Sequence, residues 1–120
     1  MHNYIEAKIV IENFLEELKQ LLADKELKFD IISSQKNKET LLELNYNSED
    51  IKIELMKLGI EQYVESVPDT RDGIILNVFS KTIKNKQVYI KVKIRSKENK
   101  KVLCLSFHFA EHKINFFPYK

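Results

Sequence analysis

The order of apolar and polar positions divides the chain into a helical first half and a strand-rich second half. Between residues 4 and 23, apolar residues recur at three- and four-residue spacing, which predicts an amphipathic helix. The apolar positions are Ala7, Ile11, Phe14, Leu15, Leu18, Leu21 and Leu22. The opposite side carries Glu12, Glu16 and Lys19, and this mixture of charges favours packing on a protein core over lying on a membrane.

Two shorter helices are predicted before residue 60. Asn37 is the expected N-cap of KETLLEL, and Asn45 is expected to end that helix in a left-handed conformation. Asn47 or Ser48 caps SEDIKIELMKL, for which Gly59 is the natural stop. Residues 28–33 are either an edge strand or an extended connection. Residues 60–65 are expected to add a helical turn, and residues 68–73 form a loop.

Three strands are predicted at residues 74–82, 87–95 and 101–109, joined by short turns near residues 84–86 and 97–100. Short connections imply an antiparallel meander. Helices followed by such a sheet predict an α+β domain with the helices packed on one face, and we expect residues 1–120 to form one domain.

The last two strands are predicted to build one basic face. In QVYIKVKIR the apolar residues Val88, Ile90, Val92 and Ile94 alternate with Gln87, Tyr89, Lys91, Lys93 and Arg95. In KVLCLSFHF the apolar side is Leu103, Leu105, Phe107 and Phe109, and the opposite side is Val102, Cys104, Ser106 and His108. If the strands pair, a tyrosine, two lysines, an arginine and a histidine share a surface that suits a polyanion.

Charge is distributed unevenly along the chain. The net charge is only +2, but residues 1–79 hold 9 Lys/Arg against 16 Asp/Glu, and residues 80–120 hold 11 against 2. This asymmetry indicates a nucleic-acid partner or an acidic protein partner for the basic part. The alternative is that the lysines solubilise an exposed sheet face and protect an edge strand.

Other classes of protein are disfavoured by composition. The single cysteine, Cys104, allows no intramolecular disulfide and fits a reducing cytoplasm. No apolar run approaches the length of a membrane span, so no membrane partner is expected, and the N-terminus does not resemble a signal peptide.

RNA cleavage without a metal needs a base for the 2′-hydroxyl proton, cations for the phosphorane and an acid for the leaving oxygen. The candidate groups are Lys81, Tyr89, Lys91, Lys93 and His108. Histidine exchanges protons near neutral pH and lysines hold phosphate. Alternatively, His108 is a hydrogen-bonded residue at a strand end and Tyr89 packs on lysine stems.

The segment His108-Phe109-Ala110-Glu111-His112 formally matches the H-x-x-E-H zinc-peptidase motif. That motif needs a helix and a downstream carboxylate, whereas this segment follows a strand and no Asp or Glu comes after it. We therefore expect no metal or other cofactor.

The block VYIKVKI…KKVLCLSFHFAE, with NVFSK and the helical stretch KNKETLLELNYNSEDIKIELMKL, resembles the MqsR family of toxins from type II toxin–antitoxin systems. The resemblance runs from about Lys36 to the C-terminus. It implies a RelE-like fold and a metal-independent mRNA endoribonuclease that a cognate antitoxin silences. Tyr89 matches the family's active-site tyrosine, and His108 stands where the family has a catalytic lysine.

Two family positions differ in this chain. The active-site glutamine of the family aligns with Leu76, so its role is lost or has moved to Asn77 or Lys81. The family's other catalytic lysine falls near Tyr63–Val64, and Lys57 is the nearest lysine in sequence.

The leading hypothesis is therefore a cytoplasmic toxin ribonuclease that acts on mRNA. Its catalytic residues are predicted to be His108, Tyr89, Lys91 and Lys81, and its RNA-binding residues Lys93, Arg95, Lys57 and Tyr119. The alternative is a non-catalytic nucleic-acid- or protein-binding module that uses the same face.

Overall fold

The computed structural model describes residues 2–95 and 99–120, and in them it shows three α-helices and a five-stranded mixed sheet. In chain order the elements are α1 (Lys8–Ala23), β1 (Lys28–Ile31), α2 (Gln35–Leu44), α3 (Ser48–Met56), a 3-10 turn (Ile60–Gln62), β2 (Tyr63–Pro68), β3 (Ile75–Ile83), β4 (Lys86–Arg95) and β5 (Lys101–Phe109). The predicted α+β class is confirmed. Part of the turn predicted near residues 97–100 lies outside the described residues.

The sheet has the strand order β1-β5-β4-β3-β2. Strands β3 to β5 form an antiparallel meander, as the short connections predicted. Strand β2 adds to it antiparallel to β3, and β1 pairs parallel to β5 at the other sheet edge. Lys84 and Asn85 both have positive φ in the β3–β4 turn, which matches the twist that a two-residue hairpin requires.

Strand β2 stands where the sequence predicted a helical turn and a loop. Its register shifts between Tyr63 and Glu65, so that Tyr63 and Ser66 are both buried at a spacing of three residues. Because of this bulge, the buried residues do not alternate every second position, as they do in a regular strand. A spacing of three is typical of a helix, and the sequence therefore predicted a helical turn here.

The helix ends differ from the predictions at three positions. Residues 2–7 are not helical, and Tyr4 bridges to Ser66 of β2 instead. The N-cap of α2 is Ser34, whose side chain accepts a hydrogen bond from the Asn37 N–H at 3.1 Å, so the prediction of Asn37 as the cap was wrong. Gly59 does not stop α3 in a left-handed conformation, since its φ is −119° and it begins the 3-10 turn.

Two capping predictions are confirmed. Asn45 ends α2 with a φ of 57°. Asn47 begins α3 with a capping box, in which the Asn47 side chain accepts from the Asp50 N–H and the Asp50 carboxylate accepts from the Asn47 N–H.

The helices cover one face of the sheet. The apolar residues of α1 and α3 form a common core with the side chains of β3, β4 and β5 that point to the same side. The central members of this core are Ile11, Leu18, Ile51, Leu55, Phe79, Val88, Ile90 and Phe107. We call the opposite side of the sheet the open face; it carries Tyr89, Lys91 and Lys93, as the alternation of β4 predicted.

A β-bulge in β5 changes the faces predicted for that strand. Lys91 pairs with Ser106, but the next residue, Val92, pairs with Cys104, so Leu105 is an extra residue. The alternation therefore reverses at Leu105. Val102 and Cys104 lie with the core, whereas Leu103 pairs with Lys93 on the open face.

Where β5 extends beyond its pairing with β1, side chains of α2 form hydrogen bonds with its backbone. The Asn37 amide donates to the Leu105 carbonyl at 3.1 Å and to the Ile32 carbonyl at 2.8 Å, and its oxygen accepts from the Phe107 N–H at 3.0 Å. Thr40 accepts from the Phe109 N–H at 3.0 Å. Asn37 thus satisfies the backbone of the bulge residue Leu105 and of Phe107, two residues after it.

Replacing Asn37 by alanine is expected to lower the free energy of unfolding by about 2 kcal/mol, because buried backbone groups would lose their partners. Urea unfolding measures this change. Asn45→Ala is not a suitable control, because Asn45 has a left-handed backbone conformation that alanine adopts less readily. The exposed Lys38→Ala on the same helix is suitable and should change stability little. Equal stability of the Asn37 and Lys38 variants would contradict the role given to Asn37.

Candidate functional site

Two neighbouring rows of side chains cross the open face. One row is Ser80, Tyr89 and His108, and the other is Glu65, Val78, Lys91 and Ser106. Each row follows the cross-strand register, which places side chains on adjacent strands about 5 Å apart. Because the bulge at Leu105 comes before Ser106, the alternation from Ser106 to His108 is unbroken, and both residues lie on the same face as Tyr89.

Tyr89 packs against both His108 and Lys91. The rings of Tyr89 and His108 are stacked, with centroids 5.3 Å apart and planes 22° from parallel. The Lys91 ammonium lies 5.6 Å from the centroid of the Tyr89 ring. Burial raises the pKa of the Tyr89 hydroxyl, and the carboxylate of Glu65 adds to this effect, so the hydroxyl remains a proton donor near neutral pH.

The His108 ring has one nitrogen occupied by the backbone. Its Nδ1 lies 3.0 Å from the Phe109 carbonyl oxygen. Because a carbonyl can only accept a hydrogen bond, Nδ1 must carry the proton, and the neutral imidazole then has its lone pair on Nε2. This arrangement gives His108 the tautomer of a general base.

These residues lie in a cleft of about 490 Å³. Its floor is formed by the β4 and β5 members of the two rows, and its walls come from β2, from the start of α2 and from the segment that follows β5. The lining residues are Lys36, Val64, Glu65, Tyr89, Lys91, Ser106, His108, Ala110, Glu111, His112 and Ile114.

The segment after β5 is held across the open face by Gln87. The Ala110 N–H donates to the Gln87 backbone carbonyl at 2.9 Å. The Gln87 side chain then donates to the Ile114 carbonyl and accepts from the Ile114 N–H, both at 2.9 Å. Lys36 of α2 forms an ion pair with Glu111 between these two anchor points. The chain from 110 to 114 is therefore a fixed wall of the cleft.

Several cleft residues were not predicted as site residues. They are Lys36, Glu65, Ser106 and His112. The predicted alternation of β5 did place Ser106 on the face of His108. In the sequence, His112 stands out only as part of the H-x-x-E-H motif. Lys36 reaches the cleft through the packing of α2 on β5, which no local pattern reveals.

Lys93 does not bind RNA in the arrangement that the structure shows, which corrects the prediction. Its side chain is only 2% exposed, and its ammonium contacts the carboxylates of Asp69 at 2.6 Å and Asp72 at 2.7 Å. Arg71 also contacts Asp69, at 2.9 Å. Hydrogen bonds from Arg71 and Lys93 hold the pKa of Asp69 well below its usual range. The β2–β3 loop thus covers one end of the open face.

Lys81 and Lys57 lie on the helix side of the sheet. Lys81 pairs with the core residue Val88, and its ammonium bonds Glu54 of α3 at 2.9 Å. Lys57 caps the C-terminal end of the same helix. Lys81 and Lys57 are therefore not residues of the Tyr89 cleft, and the position of Lys81 does not fit its predicted catalytic role there.

Arg95 and Tyr119 are also away from the cleft. Arg95 is six residues beyond Tyr89 on β4, a separation of about 20 Å along a strand, and its guanidinium is 3.7 Å from the Asp72 carboxylate. Tyr119 stacks on Tyr63 with centroids 5.8 Å apart and donates a hydrogen bond to the Glu6 carbonyl. Their predicted RNA contacts do not form part of the same site.

Ion pairs within the chain neutralise part of the charge difference between its two halves. Cations of residues 80–120 pair with carboxylates of the first half in at least five places: Lys81 with Glu54, Lys86 with Glu43, Lys93 with Asp69, Lys100 with Glu17 and Lys101 with Asp30. The basic half therefore serves in part as the electrostatic complement of the acidic half. Lys91 remains the lysine of β4 that faces the cleft.

No group of three or more His, Cys, Asp or Glu residues suited to a metal ion occurs within residues 2–95 and 99–120. The H-x-x-E-H segment begins on β5 and continues into a bend, not a helix. In the described part of the chain, no helix combines the length and apolar character needed to cross a bilayer.

Comparison with known proteins gives no relative: no family model matches the chain, and neither a curated protein nor a solved structure matches it.

Proposed function

We propose that the protein is a metal-independent endoribonuclease that cleaves single-stranded RNA through the RNA's own 2′-hydroxyl. The observation that carries this proposal is the packing of Tyr89 against His108 and Lys91 in one open cleft. A base, a cation and a hydroxyl donor are the kinds of group that the reaction uses.

In the proposed reaction, Nε2 of His108 takes the proton from the 2′-hydroxyl. The 2′-oxygen then attacks the adjacent phosphorus, the bond from phosphorus to the 5′-oxygen breaks, and a 2′,3′-cyclic phosphate and a 5′-hydroxyl result. Lys91 stabilises the extra negative charge of the phosphorane. The Tyr89 ring packs against the His108 ring, and the Tyr89 hydroxyl donates a hydrogen bond to a phosphate oxygen.

The more specific part of the proposal is that the protein is the toxin of a type II toxin–antitoxin system. It would belong to the MqsR family and have a RelE-like fold. This part rests on the sequence resemblance, and one geometric coincidence supports it. The resemblance marks three positions as catalytic that lie at or beside Tyr89, His108 and Val64. These three residues line the same cleft. The natural substrate would be mRNA in the cytoplasm, and the partner a cognate antitoxin.

The fourth family position has no counterpart in the cleft. Leu76 is 4% exposed, pairs with Val67 of β2 and does not line the cleft. Asn77 points to the helix side, where its oxygen accepts from the Ser66 hydroxyl at 2.6 Å. Neither Asn77 nor Lys81 therefore takes over the role of the family's glutamine.

The proposal is tested by induced expression in a bacterial host, with growth and the integrity of extracted mRNA followed together. Wild type is expected to arrest growth and fragment mRNA, and His108→Ala at the same soluble level is expected to do neither. Normal growth with intact mRNA in the wild type contradicts the toxin. Purified protein should also cleave an RNA oligonucleotide with EDTA present and leave its 2′-deoxy analogue intact.

The second candidate is a non-catalytic binding module. It is favoured by the mixed charge of the cleft, where Glu65 and Glu111 lie beside Lys36 and Lys91. Such a lining suits a peptide as well as a nucleic acid. Binding of RNA or of a protein without any cleavage, in a protein that leaves growth and mRNA unchanged, is the result that selects this candidate.

A further inference from the structure

In-line cleavage of RNA needs two proton-transfer groups on opposite sides of the phosphorus. The base acts at the entering 2′-oxygen, while the acid acts at the leaving 5′-oxygen, about 180° away across the phosphorane. His108 offers one free nitrogen, because Nδ1 is bonded to the Phe109 carbonyl. Tyr89 is stacked against the same ring and so lies on the side of the base. An acid on the opposite side of the phosphorus would belong to another wall of the cleft.

His112 is the second histidine that lines the cleft, and histidine is the side chain that most often acts in general acid–base catalysis. It belongs to the wall formed by residues 110–114, whereas His108 belongs to the floor. The hydrogen bonds of Gln87 to Ala110 and Ile114 hold both ends of this wall. The ion pair between Lys36 and Glu111 fixes the residue next to His112.

Charged groups lie around His112 on this wall. Glu111 is its chain neighbour, and a hydrogen bond from Lys36 lowers the pKa of the Glu111 carboxyl, so that this group is ionised. The charges of His108 and His112 lower the same pKa. The other charged and titratable groups that line the cleft are Lys36 of α2, Glu65 of β2, Tyr89 and Lys91 of β4 and His108 of β5.

We propose that His112 is the general acid that protonates the leaving 5′-oxygen, in a two-histidine mechanism with His108 as the base. This inference rests on the proposed ribonuclease function. The 2′-hydroxyl proton passes to Nε2 of His108, the bond from the 2′-oxygen to phosphorus forms and the bond to the 5′-oxygen breaks. The proton of the His112 imidazolium goes to the leaving oxygen. Exchange with water restores both rings.

The test compares two RNA substrates, one natural and one in which sulfur replaces the 5′-oxygen at the cleaved bond. A thiolate leaves without protonation, so the sulfur substrate does not need the acid. We expect His112→Ala to cleave the natural RNA at least about 10²-fold more slowly than wild type and the sulfur substrate at close to the wild-type rate. His108→Ala should be slow on both substrates.

His2→Ala, which changes an exposed histidine outside the cleft, is the matched control. Because His112 is exposed, its replacement is expected to leave thermal stability unchanged, and His112→Asn provides a second variant of closer shape. Wild-type cleavage of natural RNA by His112→Ala overturns the inference, as does an equal loss on both substrates. If wild type cleaves neither substrate, the ribonuclease proposal itself fails.

Discussion

His108→Ala is expected to lower kcat/KM for cleavage of a single-stranded RNA by about 10²–10⁴-fold, the range that a positioned general base contributes. The physical reason is the tautomer: the Phe109 carbonyl holds the proton on Nδ1 and leaves the Nε2 lone pair to accept the 2′-hydroxyl proton. Alanine removes the base and leaves the backbone of β5 in place. The measurement is the initial rate on a fluorescent oligonucleotide, from which kcat/KM is obtained.

His108→Gln distinguishes loss of the base from loss of packing. Glutamine fills part of the space above Tyr89 and keeps a polar end, but it cannot accept the proton, so it should be about as inactive as alanine. Thermal melts must show that both variants are folded. A variant that is folded and cleaves RNA at the wild-type rate would rule out His108 as the base.

Lys93→Met is expected to lower the free energy of unfolding by about 3 kcal/mol or more, because it leaves the buried Asp69 carboxylate without one of its two cations. This is a large fraction of the roughly 5–15 kcal/mol that stabilises a protein of this kind. Chemical denaturation measures the change. Lys100→Met, which breaks the exposed pair with Glu17, should cost less than about 1 kcal/mol.

The double variant Lys93→Met, Asp69→Asn distinguishes two contributions to stability: the ion pair of Lys93 and the packing of its side chain. Removing both charges relieves the uncompensated carboxylate, so the double variant should recover part of the stability lost by the single one. At a temperature where Lys93→Met remains folded, its RNA affinity should equal that of wild type. A loss of RNA affinity with unchanged stability would restore the predicted role of Lys93 in binding.

The alternation of β4 is the part of the site that sequence predicted well. The helix side of the sheet must be apolar and the opposite side polar, so a period of two placed Tyr89 and Lys91 together without any tertiary information. Antiparallel pairing with β5 then brought His108 beside Tyr89. Local pattern was sufficient here because β4 is regular and both of its neighbours are joined to it by short turns.

Burial and ion pairing could not be predicted in the same way. Lys91 and Lys93 have the same place in the pattern, yet Lys91 lines the cleft and Lys93 is buried by a loop. The difference lies in the path of residues 68–74, which brings Asp69 and Asp72 over one end of the open face. Loop paths depend on contacts between segments distant in sequence, and hydrophobic periodicity carries no information about them.

The sequence by itself determined the α+β class, the antiparallel meander of the last three strands, the caps at Asn45 and Asn47 and the common face of Tyr89 and His108, because these depend on periodicity, capping chemistry and short turns. The tertiary structure decided which cations are available. It paired Lys81, Lys93 and several other lysines with the acidic half of the chain and brought Lys36 and His112 to the cleft. Charge acts through space, so a lysine is free or neutralised according to what the fold places beside it.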